Sequence, residues 1–231
     1  YLHFTMEDNP ALSEAVKRRY RTTYSGAFYR RFVLGEWTRA QGLVYDFFDR
    51  ERDCAAPVDE PCEAYAVSVD YGTANPASFG LWGRRGTVWY RIDEYYYASR
   101  REGKQKTDAE YVEELWRLLD GRRPDVVVVD PSAASFIEAL RRTGLRVQKA
   151  DNDVLWGIRV TAGMLKEKKL ILCSNCADCL REMELYCWEE GAVRDVPRKE
   201  HDHAMDEMRY FAMDLTHEEE RGFAAVAVER R

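Results

Sequence analysis

The sequence feature that most constrains the fold is a run of four consecutive valines, Val126–Val129, flanked by Asp125 and Asp130. A strand made only of β-branched apolar residues has no face suited to water. It is therefore typical of the middle of a parallel sheet that helices cover on both sides. Parallel neighbours need a long crossover connection, usually a helix. The run predicts an α/β protein with this strand at its centre.

The segments around the valine run predict the rest of the sheet. Four further strands are expected: Ala64–Asp70, residues 77–82, residues 87–97 and residues 145–147. The second and third of these are joined by Gly83-Arg-Arg-Gly86, which is a hairpin signal. Helices are expected from a capping box at Thr107 to Gly121, and at about residues 133–142, 153–168, 175–190 and 202–216. This order predicts a mixed five-stranded sheet flanked by helices, in which a right-handed crossover returns the valine strand parallel to Ala64–Asp70.

Two aspartates, Asp70 and Asp130, each end one of these predicted parallel strands. If the strands are neighbours, they lie roughly 5 Å apart, and both carboxylates are at the same sheet edge and can share one metal ion. Each has an ordinary alternative when taken singly. An aspartate before Tyr71-Gly72 is a common turn former, and Asp130 can cap the helix that follows it. Their expected meeting at one edge is what favours a metal site.

A third group of polar residues begins the last predicted helix. His203 and Asp206 are three residues apart and share a helical face, and Asp202 lies one turn before Asp206. An imidazole and a carboxylate one turn apart suit a hard cation, manganese in particular. The alternatives are that Asp202 is a helix cap and that His203 is a surface residue. We expect Asp206 and His203 to act together, with Asp202 as the alternative ligand.

Composition limits the classes of protein that remain. The chain has 231 residues, 45% hydrophobic and 33% charged, which is ordinary globular composition. A net charge of −6 counts against a protein that coats DNA by neutralising phosphates, although local basic clusters exist, among them Arg100-Arg101 with Lys104 and Lys106. No apolar run is long enough to predict a membrane span. The sequence contains no phosphate-binding loop, so no ATPase activity is expected of this segment.

The six cysteines indicate reduced thiols in a cytoplasm, because no secretory signal accompanies them. Cys173, Cys176 and Cys179, with Cys187, also raise the alternative of a zinc site. We expect the first three to lie along one helix. Structural zinc sites usually combine two separated ligand pairs, so this alternative is the weaker one.

Three segments resemble the nuclease motifs of tailed-phage terminase large subunits. DHAMDEMRY (residues 202–210) is similar to the Asp-His-x-x-Asp-x-x-Arg-Tyr signature near the end of that family, VSVDYGTANP (67–76) to its first nuclease motif, and VDPSA (129–133) to its second. EDNP (7–10) and LGEW (34–37) resemble the connector between the family's ATPase and nuclease domains. One departure is Glu207, which stands where the signature commonly has alanine.

The resemblance implies a ribonuclease H-like fold that uses two divalent cations, Mg²⁺ or Mn²⁺. Asp70, Asp130 and Asp206 would then be catalytic, and the metal ligands would be Asp70, Asp130, His203 and Asp206. Residues 1–63 would form the connector from an ATPase domain, and residues 64–231 the nuclease domain.

The function implied is cleavage of concatemeric double-stranded viral DNA during genome packaging, in the cytoplasm of the bacterial host. The partners would be the DNA, the ATPase domain of the same protein, the portal and the small terminase subunit, with no membrane. Two alternatives remain open. One is a non-catalytic docking domain of the packaging motor, which the retained acidic positions disfavour. The other is a different ribonuclease H-like DNA nuclease, such as a junction resolvase or a transposase, which the connector motifs disfavour.

Overall fold

A computed structural model describes residues 4–24, 26–36, 38, 40–59 and 61–229, without the side chains of residues 23, 27 and 219–229. Trp37, the last residue of the predicted connector motif, lies outside the described residues. The strands are β1 (Cys54–Ala55), β2 (Ala64–Asp70), β3 (Ala77–Arg85), β4 (Val88–Tyr97), β5 (Val126–Val129), β6 (Val147–Lys149) and β7 (Leu170–Cys173). The α-helices are α1 (Glu14–Thr23), α2 (Gly26–Phe32), α3 (Arg50–Asp53), α4 (Ser99–Glu102), α5 (Asp108–Leu119), α6 (Ala134–Arg142), α7 (Val154–Lys166), α8 (Ala177–Met183) and α9 (His203–Glu229).

The strands form one mixed sheet in the order β1-β7-β4-β3-β2-β5-β6. β2, β3 and β4 are an antiparallel meander, and the other neighbouring pairs are parallel. β2 lies directly beside β5 and parallel to it, with Ala66 opposite Val126 and Val69 opposite Val129. All four valines of β5 are buried. The predicted adjacency of the two aspartate-bearing strands is therefore confirmed.

Helices cover both faces of this sheet. Side chains of β3 point to both sides, and those on each side contact a different set of helices. Phe79 packs against Tyr111 of α5 and Phe136 of α6 on one face. Trp82 stacks on Phe211 of α9 on the other, with ring centroids 4.5 Å apart. α7 packs against α9 on that second face. In the described part of the chain, no helix combines the length and the apolar character that crossing a membrane requires.

The sheet has seven strands where five were predicted. β7 was missed because Leu170–Cys173 is a short apolar run, which periodicity alone cannot distinguish from part of a helix. β1 has only two residues and pairs with β7 at the edge of the sheet. Both additions extend the sheet beyond β4, away from the two aspartates. The predicted α/β class is confirmed, while the count of strands was wrong.

Several predicted boundaries shift. The hairpin turn lies at Gly86 and Thr87 rather than within residues 83–86, because Arg85 still pairs with Val88. Gly86 has a φ of 59°, the left-handed conformation that such two-residue turns require. The fifth predicted strand lies at Val147–Lys149 instead of residues 145–147. The helix expected at residues 175–190 is only Ala177–Met183, and the last helix is longer than predicted.

The segment before residue 64 packs directly onto the sheet unit. α1 lies against α7, and β1 joins the sheet through β7. Leu43 forms a β-bridge with Cys187, while the rings of Tyr45 and Tyr186 lie 6.1 Å apart. This segment is therefore in extensive contact with the layer that contains α7.

Candidate active site

A pocket of about 420 Å³ opens at the sheet edge where β2 and β5 end and α9 begins. Its lining residues are Asp70, Tyr71, Gly72, Thr73, Ala74, Asn75, Pro76, Asp130, Lys199, Asp202, His203 and Asp206. The topology accounts for this convergence, because parallel strands end at the same sheet edge. All four predicted ligands and the alternative, Asp202, line this one pocket.

Asp70 and His203 are in direct contact within the pocket. The Nδ1 atom of His203 lies 2.8 Å from Oδ2 of Asp70. Burial raises the pKa of Asp70 to about 6; the hydrogen bond and charge of His203 lower it, while nearby Asp206 and Asp130 raise it. Burial by itself lowers the pKa of His203, but the hydrogen bond and charge of Asp70 outweigh this effect, so the net shift is upward. The strand and helix parts of the site are therefore joined by a hydrogen bond.

Asp130 both lines the pocket and stabilises the turn after β5. Its Oδ1 accepts a hydrogen bond from the backbone N–H of Ser132, and its Oδ2 accepts one from the Ser132 hydroxyl, both at 2.9 Å. The alternative structural role considered for this aspartate is thus present in the structure. It does not exclude a metal-binding role, since the side chain is only half-buried and lies in the pocket wall.

Two cations lie against the carboxylates at the start of α9. Lys199 Nζ is 3.6 Å from Oδ2 of Asp202 and 3.7 Å from Oδ2 of Asp206. Buried Arg209 donates to Oδ1 of Asp206 at 3.0 Å. The sequence interpretation did not include Lys199, which stands in an irregular segment with no motif around it. The lysine partly offsets the negative charge of the pocket.

The chemistry of this donor set fits a divalent cation. Four carboxylates and one imidazole line the pocket, and a hard cation prefers such oxygen donors, with manganese also accepting nitrogen. As the side chains stand, no three His, Cys, Asp or Glu groups among the described residues are close enough to hold one ion. In this arrangement Asp70 is hydrogen-bonded to His203, and Asp206 to Arg209.

Glu207, the departure from the family signature, is absent from the pocket lining and contacts the sheet instead. Its fully buried carboxylate accepts hydrogen bonds from the Ser68 hydroxyl and the Arg91 guanidinium. Trp82 Nε1 donates to the same Ser68 oxygen at 2.7 Å. Burial raises the pKa of Glu207 to about 7, against the lowering effect of Arg91. Ser68 precedes Asp70 by two residues on β2, so this contact fixes α9 against the strand that carries Asp70.

Gly80 provides the space for this buried cluster. A Cβ at this position would collide with the Arg91 guanidinium and with the Glu207 carboxylate. Arg91 is itself fully buried, and its second neighbour is Glu94 at 3.4 Å. Glu94 accepts hydrogen bonds from the first turn of α8, at Asp178 N (2.7 Å) and Cys179 N (3.0 Å). The polar cluster therefore links β2, β3, β4, α8 and α9.

A second contact fixes the first turn of α9. Glu182 of α8 accepts hydrogen bonds from the backbone N–H of Ala204 and from the Tyr96 hydroxyl, both at 2.6 Å. A carboxylate at a helix N-terminus satisfies a free N–H group and interacts favourably with the helix dipole. The turn that carries His203 is thus attached to α8 and β4. Sequence patterns gave no signal of this contact, because the partners are far apart in the chain.

In the loop after β2, the backbone folds back into close contact with itself. A Cβ on Gly72 would collide with the backbone carbonyl oxygens of Asn75 and Pro76. The Tyr111 hydroxyl donates to Gly72 O at 2.9 Å, and the Ser99 hydroxyl donates to Thr73 O at 2.8 Å. The glycine in the first motif is therefore required by close approach of the chain to itself.

The cysteine run does not lie on one helix as expected. Cys173 ends β7, Cys176 precedes α8, and Cys179 lies within it. All three are buried free thiols. Burial raises the pKa of Cys173 to about 11 and also raises those of the other two.

The mixed sheet, with acidic side chains at the ends of parallel β2 and β5 and α9 facing them, defines a ribonuclease H-like fold. No protein-family model matches the chain. The large terminase of a thermophilic bacteriophage, solved in complex with ADP, is 47% identical, with a TM-score of 0.85, over 91% of this chain and 54% of that one. The terminase large subunit of Escherichia phage T5 is 23% identical over 223 residues, which are 90% of this chain and 50% of the relative. The chain is a homologue of the phage terminase large subunits, and it spans about half the length of these relatives.

A more distant similarity concerns the nuclease part of such proteins. The large terminase nuclease from thermophilic phage G20c, solved with bound magnesium, has a TM-score of 0.57 and 14% identity. The match covers 74% of this chain and 96% of that one. At this identity the comparison shows a shared fold.

Proposed function

We propose that this chain is a divalent-metal-dependent endonuclease that cuts concatemeric double-stranded DNA during packaging of a phage genome. The observation that carries the proposal is the convergence of Asp70, Asp130, His203 and Asp206 on one pocket at the sheet edge. The relationship to terminase large subunits supports the packaging role. The magnesium bound to the G20c nuclease supports a divalent ion.

In this proposal Asp70, Asp130, Asp206 and His203 hold two Mg²⁺ or Mn²⁺ ions. Such a pair of ions lowers the pKa of a bound water and stabilises the leaving 3′ oxygen. Asp70 and Asp130 supply negative oxygens from the rigid sheet, while Asp206 and His203 approach from α9. Arg209 orients the Asp206 carboxylate through its 3.0 Å hydrogen bond. The products are expected to carry 5′-phosphate and 3′-hydroxyl ends.

A supercoiled-plasmid assay tests the proposal. The chain is expected to nick and linearise the plasmid with Mn²⁺, more weakly with Mg²⁺, and not in EDTA. Asp70→Ala and Asp130→Ala are expected to abolish cutting while the circular dichroism spectrum stays native. Asp125→Ala is the matched control, because this exposed aspartate lies just before the opposite end of β5, and it is expected to leave activity unchanged. Substantial cutting by folded Asp70→Ala contradicts the assignment, and an inactive wild-type chain favours the docking role instead.

The rest of the proposal concerns the longer protein. Residues 1–63 are proposed to connect the nuclease domain, residues 64–231, to a packaging ATPase. The packing of α1 on α7 and of β1 on β7 supports a connector firmly attached to the nuclease unit. The portal and the small terminase subunit are the proposed partners, in the cytoplasm of the bacterial host. Residues 1–231 contain no phosphate-binding loop, so they are expected not to hydrolyse ATP by themselves.

A further inference from the structure

Basic side chains lie on both sides of the acidic pocket along the same sheet edge. β4 runs parallel to β2 with β3 between them, so β4 also ends at this edge, and α4 follows it directly. On the other side, β6 ends at Lys149, which pairs in register with Val129 beside Asp130. The order along the edge is therefore α4, the loop after β2, the two aspartates, and Lys149.

The α4 flank adjoins the acidic pocket directly. The Ser99 hydroxyl lies 2.8 Å from Thr73 O and 3.1 Å from Ala74 O, in the loop that forms the pocket wall. A second, shallower pocket lies beside it, lined by Ala74, Ser99, Arg100, Gly103, Lys104 and Gln105. Ala74 lines both pockets. An extended ligand seated in the acidic pocket can thus continue into the basic one.

Two of the cations on these flanks are exposed and have no carboxylate partner among the described residues. Arg101 pairs with Glu102 at 3.2 Å, and Lys104 with Glu110 at 2.6 Å. Arg100 and Lys149 are both exposed and form no ion pair within the described part of the chain. Each side of the pocket therefore presents one exposed cation that forms no ion pair with a carboxylate of the described residues.

The separation of the two strands that lead to these flanks suits a double-stranded nucleic acid. β4 and β6 are four strand spacings apart, which is about 19 Å at ~4.8 Å per spacing. This exceeds the ~12 Å width of the DNA major groove, so cations at both ends can meet phosphates on either side of a groove. The pocket between them is acidic and repels phosphate, so contacts on the flanks are needed to hold a polyanion there.

We propose that Arg100 and Lys149 bind backbone phosphates of double-stranded DNA on opposite sides of the bond to be cut. This inference rests on the proposed nuclease function. The contacts are with phosphates, so they carry no base information and the cleavage they support depends little on sequence. The partner is the duplex backbone, whatever its sequence.

Binding of a fluorescein-labelled duplex of about 30 base pairs to the 231-residue chain tests this proposal. Binding is measured by fluorescence anisotropy at NaCl concentrations between roughly 50 and 200 mM. EDTA is present throughout, because it removes divalent ions and so prevents cutting. The wild-type dissociation constant is expected at about 10⁻⁴–10⁻⁶ M. Arg100→Glu and Lys149→Glu are each expected to weaken binding roughly ten-fold at ~0.1 M salt and to reduce the salt slope by about 1.

Arg123→Glu is the matched control. Arg123 is exposed, forms no ion pair among the described residues, and precedes β5 at the opposite sheet edge. Its reversal changes the net charge by the same amount as Arg100→Glu and is expected to leave binding unchanged. If all three variants weaken binding equally, general electrostatics explains the effect and the proposal is overturned.

Plasmid nicking with Mn²⁺ separates this inference from the proposed function. Both flank variants are expected to raise KM for DNA several-fold and to retain kcat at saturating DNA. An active wild-type chain whose Arg100→Glu and Lys149→Glu variants keep its KM and salt slope overturns the phosphate contacts alone. An inactive wild-type chain that loses DNA affinity on both reversals overturns the nuclease function and supports the contacts.

Discussion

Replacing Glu207 by alanine is expected to destabilise the protein by about 3–5 kcal/mol, because it leaves a buried arginine without its closest carboxylate. Arg91 is fully buried, and Glu94 at 3.4 Å remains as its only other carboxylate partner in the described part of the chain. The Ser68 hydroxyl also loses its acceptor, at a cost of about 1 kcal/mol. Domains of this kind have roughly 5–15 kcal/mol of stability in total, so the loss is a large fraction.

Urea unfolding followed by tryptophan fluorescence and circular dichroism measures this effect. Glu207→Gln keeps the shape of the side chain and one of its two acceptor oxygens, so it is expected to lose less than alanine does. Adding Arg91→Met to Glu207→Ala is expected to recover part of the stability, because no guanidinium is then left with a missing partner. A loss below about 1 kcal/mol on Glu207→Ala, or no recovery in the double variant, refutes the reasoning.

Three further outcomes are expected. Asp206→Asn should be inactive with both Mg²⁺ and Mn²⁺ in the plasmid assay. His203→Ala should keep some activity with a reduced preference for Mn²⁺, because imidazole suits manganese better than magnesium. Normal cutting by Asp206→Asn together with no cutting by Asp202→Asn would contradict this choice of ligands. Gly72→Ala should reduce nicking without changing far-ultraviolet circular dichroism, since its Cβ collides with loop carbonyls, and wild-type nicking would count against it. Thr107→Ala should lower the free energy of unfolding by about 1 kcal/mol through loss of the capping box, as urea titration can measure.

The aspartate pair was predictable because its signals are local and the connection rule is strong. Four valines specify a strand buried on both faces, and a crossover in a parallel sheet is almost always right-handed. Asp70 is the last residue of β2 and Asp130 follows β5 directly, so the sequence alone was enough to place them at one edge. The same reasoning failed for β7, since four apolar residues fit a strand or a helix equally well.

The interactions around the pocket could not be predicted in the same way. Glu207 pairs with Arg91, which is 116 positions away, and its sequence context is that of an ordinary helical glutamate. Lys199 lies in a segment without periodicity and reaches the carboxylates only through the fold. Such contacts depend on which helix face meets the sheet, and that is decided by packing over the whole domain rather than by local pattern.

The space at Gly80 has a consequence for how this lineage can diverge from its relatives. Gly80 leaves no void, because the Glu207 carboxylate and the Arg91 guanidinium occupy the volume that a larger side chain would fill. Homologues with the alanine that the signature commonly has at position 207 lack the carboxylate that lies closest to Arg91 here. We expect them to have an uncharged residue in place of Arg91 and to accept a larger one in place of Gly80. These three positions should covary across an alignment, and lineages that changed one of them alone should be rare.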